Sequence, residues 1–215
     1  YNWVTQTLTS VGGENFPNES FTNLDNAADI TSGSVTDTNY RFLSYFSRAN
    51  YKYDNKYLLT LSARVDGSSR FGANNRYGFF PAASAGWVLT EEDFLSDIDA
   101  LSFLKLRASY GVTGNANIDN FPSLGLYNGI SYAGASALNP SQTPNPDLKW
   151  ETTKQLDIGI DFGFFDDRVN GQIDYCQKRT NDLLLDVNVP GTTGYSTQLR
   201  NVGRLQNDGF ELVLN

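Results

Sequence analysis

The sequence predicts an all-β chain, a segment of an antiparallel transmembrane β-barrel. Three observations carry that prediction: strand-length stretches whose apolar residues and charges segregate to opposite faces, connections that alternate between short and long, and aromatics that collect where the strands end. Composition agrees. Tyr (12), Phe (14) and Gly (19) are abundant among 215 residues and Met is absent, which favours strands and turns over helices.

No run of eighteen apolar residues occurs, so a transmembrane helix is excluded. A spanning β-strand needs only about 9 to 11 residues, apolar at alternate positions, and a barrel of such strands is hydrophilic in bulk. The net charge of -8, without a run of Lys or Arg, argues against nucleic acid as a partner. The single cysteine, Cys176, permits no internal disulfide. The absence of His removes His-based triads, His-ligated zinc and imidazole acid/base chemistry. No enzyme, cofactor, metal site or catalytic residue is expected.

Residues 1–40, rich in Asn, Thr, Ser, Asp and Gly without sustained periodicity, are expected to be an extracellular polar loop region. Residues 41–215 then carry seven strand candidates, at about 41–53, 56–66, 79–90, 103–113, 149–164, 168–181 and 207–215. Most reach or exceed about ten residues, where soluble strands average about five or six. Connections at Asp54–Lys56 and 165–168 are tight, 91–102 is compact, and 67–78, 114–148 and 182–206 are long. Outer-membrane barrels turn tightly on the periplasmic side and loop widely outside, so the first strand should run downward. The 91–102 connection is expected to hold a short helix, with Thr90 as N-cap and Glu91, Glu92 and Asp93 complementing its dipole.

Parity assigns the faces. Tyr57, Leu59, Leu61, Ala63 and Val65 oppose Lys56, Leu58, Thr60, Ser62, Arg64 and Asp66. Leu104, Leu106, Ala108, Tyr110 and Val112 oppose Lys105, Arg107 and Ser109, and Leu156 to Phe164 oppose Glu151, Gln155, Asp157 and Asp161. Val169, Ile173 and Tyr175 oppose Asn170, Gln172, Asp174 and Lys178. A charge facing lipid near midplane costs about 2–4 kcal/mol, whereas a wet lumen tolerates it. The exceptions, Arg41 and Lys154, fall near the outer rim. Tyr51, Tyr53, Tyr57, Trp87, Phe162 and Phe164 should form a periplasmic girdle, with Phe79, Tyr110 and Trp150 in an outer one.

Directly paired residues share a face, so parity also fixes hairpin registers. Tyr53 should pair with Tyr57, Tyr51 with Leu59 and Ala49 with Leu61; Phe164 should pair with Val169 and Ile160 with Ile173. Alternation alone is shared by a soluble sandwich, whose apolar face is its core, so a soluble or surface-exposed glycan-binding β-module is the alternative. A hydrolase carried by a barrel domain is a further one, and needs its nucleophile and base outside this His-free stretch.

Four segments carry a family resemblance. They are RFLSYFSRANYKYDNKYLLTLSARVDGSSRFGANNRYGFFPAASAGWVLTEEDFL (41–95), LKLRASYGVTGN (104–115), NPDLKWETTKQLDIGIDFGFFDDRVNGQIDYCQKRTNDLLL (145–185) and TGYSTQLRNVGRLQNDGFELVLN (193–215). They resemble, in the family's order, the C-terminal barrel region of SusC/RagA-type TonB-linked outer-membrane transporters; Cys176 stands where Tyr is commoner. The resemblance implies about seven strands of a larger, roughly 22-stranded barrel, with the plug domain and C-terminal strands absent. It further implies uptake of oligosaccharide or peptide substrate with a SusD-like surface lipoprotein, energised by TonB through the missing N-terminal region, and a wall in contact with membrane lipid.

Candidate contacts with substrate or lid are Arg70, Phe71 and Arg76 in the loop DGSSRFGANNRYG, and Tyr127 and Tyr132 in 114–148. Bracing of the loops is the competing role for each. Asn115, Asn117 and Asp119 resemble the start of an EF-hand loop, but Asn120 replaces its Gly and Leu126 its bidentate Glu. Asp157 and Asp161 share a face about 13 Å apart at ~3.3 Å per residue, beyond the ~5–9.5 Å of glycosidase carboxylates, and are expected to pair with Lys105 or Arg107. Trp150 and the prolines of NPDLKWE are expected to serve architecture.

Overall fold

A computed structural model describes residues 1–20, 23–95 and 98–215. Its strands are β1 (Asn2–Glu14), β2 (Asp29–Tyr53), β3 (Tyr57–Ser68), β4 (Tyr77–Val88), β5 (Leu101–Asn115), β6 (Leu126–Tyr132), β7 (Ala135–Gln142), β8 (Glu151–Phe164), β9 (Val169–Asn181), β10 (Leu184–Asn188), β11 (Thr197–Asn201) and β12 (Arg204–Leu214). Eight of them form one antiparallel sheet in the order β1-β2-β3-β4-β5-β8-β9-β12. The pairs β6-β7 and β10-β11 are separate hairpins within the long connections.

The seven expected strands are all present, as β2 to β5, β8, β9 and β12. Their registers follow parity: Tyr53 pairs with Tyr57, Tyr51 with Leu59 and Ala49 with Leu61. Phe164 likewise pairs with Val169 and Ile160 with Ile173. Asp54 and Asn55 adopt left-handed backbone (φ 49° and 54°), and the Lys56 amide closes the turn on the Tyr53 carbonyl at 3.0 Å. Asp and Asn tolerate that conformation better than other non-glycine residues, which is why so short a loop joins two long strands here.

Residues 1–40 depart from expectation. They are not a loop: β1 pairs with the first half of β2 from Asn2 opposite Phe42 to Glu14 opposite Asp29. Thr5, Thr7, Thr9 and Val11 on β1 and Val35, Thr36 and Thr38 on β2 are β-branched and favour extended backbone. Both faces of this ribbon are largely exposed, so nothing imposes an apolar-polar alternation on it.

The 91–102 connection also differs. Its helical turn is a 3-10 turn at Leu89–Glu91, with Val88 in the cap position and no side-chain cap; Thr90 lies inside the turn, with its Oγ1 3.5 Å from the Leu104 amide. The Glu92 carboxylate is drawn away from a helix end by other donors, accepting from Tyr57 Oη at 2.6 Å and Trp87 Nε1 at 2.9 Å. Residues 96 and 97 of the expected helix lie outside the described ones.

Among the described residues no second layer covers the sheet. Tyr45, Leu61, Phe79, Tyr110, Ile158 and Ile173 stay exposed along its apolar face. Buried apolar side chains gather instead at one end, where Phe71, Phe80, Leu148 and Trp150 pack together.

Candidate functional site

The polar face of the sheet is a ladder of ion pairs. On β3, Arg64 Nε donates to both Asp66 oxygens at 2.7 Å. Across β5, β8 and β9, Arg107 Nε donates to Asp161 Oδ1 at 2.9 Å and its Nη2 to Asp174 Oδ2 at 2.6 Å, with Lys105 Nζ 3.8 Å from Asp161 Oδ2. Arg107 thus spans a whole strand, and Gly159 makes that crossing possible. Gly159 pairs with Arg107 on one side and Asp174 on the other, and a Cβ there would fall 2.2 Å from Asp174 Oδ1 and 2.8 Å from Arg107 Cζ. Asp157 does not join this network; it accepts from Ser109 Oγ at 3.1 Å and from Gln155 Nε2 at 3.0 Å. The expectation of a cationic partner therefore holds for Asp161 and fails for Asp157, because Arg107 is already committed to Asp161 and Asp174.

At the end bearing the long connections, three loops are tied into a collar. Gly72 N donates to Leu148 O at 2.9 Å, in an approach so close that a Cβ on Gly72 would lie 1.8 Å from the Pro146 carbonyl oxygen. Asn75 Nδ2 reaches Asp147 O at 3.1 Å, and Trp150 Nε1 donates to Arg76 O at 3.0 Å. The β10-β11 hairpin joins through Asn145 Nδ2 to Leu199 O and Gln198 Nε2 to Pro144 O, both 2.7 Å.

The expected contact residues separate into two groups. Phe71 is 1% exposed, its ring 4.7 Å from that of Trp150. Arg70 is also engaged: Nε donates to Asn120 Oδ1 at 3.0 Å, Nη1 to Ala116 O at 2.9 Å, and its guanidinium lies 4.0 Å over the Tyr40 ring. Arg76, Tyr127 and Tyr132 are exposed at the same end of the sheet. Tyr127 and Tyr132 differ in parity along β6, so they project from opposite faces of that hairpin. Asn115 is taken up locally, accepting from the Asn117 amide at 2.9 Å and donating to Glu151 Oε1 at 3.2 Å.

Trp150 is the clearest correction. Expected at an outer girdle, it is 6% exposed and packs inward against Phe71, Phe80 (5.3 Å) and Phe42 (6.1 Å). It precedes the first residue of β8, so strand parity does not govern its direction. Phe42 and Phe80 share parity with the charged face, a departure visible in the sequence and the available signal for this cluster. Phe46, opposite Arg64, is a second such aromatic, and it remains exposed.

The model of the family described as TonB dependent receptor-like, beta-barrel matches residues 1–215. The chain is 45% identical over 204 residues to TonB-dependent receptor P26 of Formosa agariphila, covering 91% of this chain and 20% of that protein. It is 39% identical over 206 residues to TonB-dependent receptor SusC of Bacteroides thetaiotaomicron, covering 92% and 20%. Among solved structures it is similar to the RagAB peptide transporter, with TM-score 0.87 and 32% identity over 99% of this chain and 24% of that one. The siderophore receptor PirA of Pseudomonas aeruginosa shares the fold at TM-score 0.55 and 18% identity, over 83% of this chain and 31% of that one. The chain spans about a fifth of the length of the curated relatives it matches. With an open antiparallel sheet that is apolar on one side and ion-paired on the other, the chain belongs to the TonB dependent receptor-like β-barrel family, as part of an outer-membrane wall.

Proposed function

We propose that this wall belongs to a TonB-energised importer that takes up glycan or peptide fragments with a SusD-like surface lipoprotein. The observation carrying the proposal is the coexistence of a polar, ion-paired lumen face with a braced collar at the long-loop end. Similarity to the receptor SusC and to the RagAB peptide transporter supports it. In this proposal the ribbon of residues 1–40 stands outside the membrane, and the plug and TonB contact lie in the remainder of the protein. Arg76, Tyr127 and Tyr132 meet substrate or lid, while Arg70 and Phe71 hold the collar that presents them. A soluble glycan-binding module would bury the apolar face that this sheet leaves open.

The test is uptake by cells carrying the full transporter. Tyr127→Ala/Tyr132→Ala should lower uptake of labelled glycan or peptide at an unchanged outer-membrane level, and loss of TonB should abolish uptake. Uptake that persists without TonB would refute the proposal.

A further inference from the structure

The apolar face does not fade into neutral residues at its outer end. Leu156 on β8, and one step below it the tilted rings of Tyr175 on β9 and Phe210 on β12, 4.9 Å apart and level with Ile158, close the apolar band at the end that carries the long loops. Two residues beyond Leu156, on the same outward face, stands Lys154, and its direct cross-strand partner is Arg179. One strand further, Gln206 lies opposite Arg179, and Arg204 opposite Asn181. All three cations are exposed, and no ion pair among the described residues includes any of them.

Like charges directly opposite each other on paired strands repel. Arg179 Nε donates to Gln206 Oε1 at 2.9 Å, and Gln206 Nε2 to Asp208 Oδ2 at 2.7 Å. Asp208 therefore steadies Arg179 through an amide and does not neutralise it. A lumen would place such cations inside, yet these face out: Lys154 stands one side-chain step above Leu156, about 6.6 Å along the strand, Arg179 lies level with it and beyond Gln177, and Arg204 lies one step further out.

We propose that Lys154, Arg179 and Arg204 bind the phosphate of an anionic glycolipid of the outer leaflet, whose acyl chains run down the wall beside Leu156, Tyr175 and Phe210. Phosphate fits the donors, since Arg offers a planar fork and Lys a point charge. The site sits at headgroup depth, where each cation contributes to lipid affinity. Free phosphate meets the same donors without the acyl contacts, so the two sources separate by experiment.

The intact transporter containing this chain, delipidated in detergent, is titrated with three probes: lipid A, the same lipid A after enzymatic removal of its phosphates, and inorganic phosphate. Lys154→Gln/Arg179→Gln should weaken lipid A binding at least about tenfold, and removal of the phosphates should weaken binding to the unaltered protein similarly. Lys178→Gln, beside Arg179 in sequence but on the lumen face, should leave binding unchanged. Equal binding by the unaltered protein and the double variant overturns the proposal. So does inorganic phosphate binding as tightly as lipid A, which would mark a free-anion site. Should the double variant fail to assemble, Arg204→Gln and a salt titration of the unaltered protein decide: affinity that ignores both overturns it.

Discussion

Gly159 shows how one missing side chain organises three strands. Arg107 on β5 reaches Asp174 on β9 only by passing over β8, and at its crossing point a methyl group would overlap the Asp174 carboxylate. Gly159→Ala should therefore push Asp174 off Arg107. The pair is partly screened, with 34% and 18% of the two side chains exposed, so the loss should be about 1 kcal/mol and not the larger cost of a buried pair. Denaturant unfolding of the refolded barrel measures it, and a double-mutant cycle assigns it: in an Asp174→Ala background the same substitution should cost little. An equal cost in both backgrounds would place the effect in the backbone of β8. Asp174 Oδ1 is buried without a hydrogen-bond partner among the described residues, so this carboxylate depends on Arg107 more than its neighbours do.

At the scale of the element, the β2-β3 and β4-β5 connections are stitched together at the end of the sheet that carries the tight turns. The rings of Tyr53, Tyr57 and Trp87 stack at 6.4 and 6.3 Å, and Glu92 accepts from Tyr57 Oη, Trp87 Nε1 and Lys56 Nζ. The Tyr57 hydroxyl first, then the Trp87 indole, and lastly Lys56 hold the Glu92 carboxyl below its ordinary 4.5, against the opposing pull of desolvation. Desolvation pulls Lys56 down, but Glu92 outweighs it and leaves the ammonium above its ordinary 10.5. A carboxyl depressed in the folded state stabilises above its unfolded value and loses that contribution as pH falls through the folded one. A raised ammonium stabilises below its unfolded value and loses the contribution as pH rises through the folded one. The Tyr57 hydroxyl must also keep its proton to donate, and a tyrosine ordinarily loses it near 10, so the stitch should be complete between about pH 4.5 and 10. Acid unfolding below that window should be shallower in Glu92→Gln than in the unaltered chain; identical acid profiles would show that the cluster adds nothing. The same elements show what sequence reveals. The Tyr53-Tyr57 register was legible because a strand in lipid has one permitted face and Asp54-Asn55 tolerate the turn. The ribbon of β1 and early β2 was illegible because both its faces meet water, where any alternation is optional. Trp150 was misplaced because parity ends with the strand, and its direction follows from Phe71 and Leu148, which belong to other loops.

For the molecule as a whole, stability divides between two solvents. The eight-stranded sheet buries no apolar layer of its own, and its β1 and β12 edges have no further strand beside them among the described residues. In hydrocarbon each unpaired backbone group costs several kcal/mol, so such a sheet is stable there only when neighbouring strands close it into a barrel. Which face meets lipid then decides every substitution on the wall. Leu61 and Ser62 are adjacent on β3, with Leu61 paired to Ala49 and Ala83 on the apolar side and Ser62 paired to Arg48 and Ala82 on the polar side. Leu61→Arg sets a charge against acyl chains, at about 2–4 kcal/mol near midplane, whereas Ser62→Arg enters a lumen already lined by Arg48 and Arg64. Introduced into the full transporter, Leu61→Arg should reduce the heat-modifiable barrel recovered from outer membranes far more than Ser62→Arg does. Equal recovery would mean that the two faces see the same solvent. The positions of the cations argue otherwise, since among the described residues those on the apolar face stand at the end that carries the long loops, as Lys154, Arg179, Arg204 and Arg41 do.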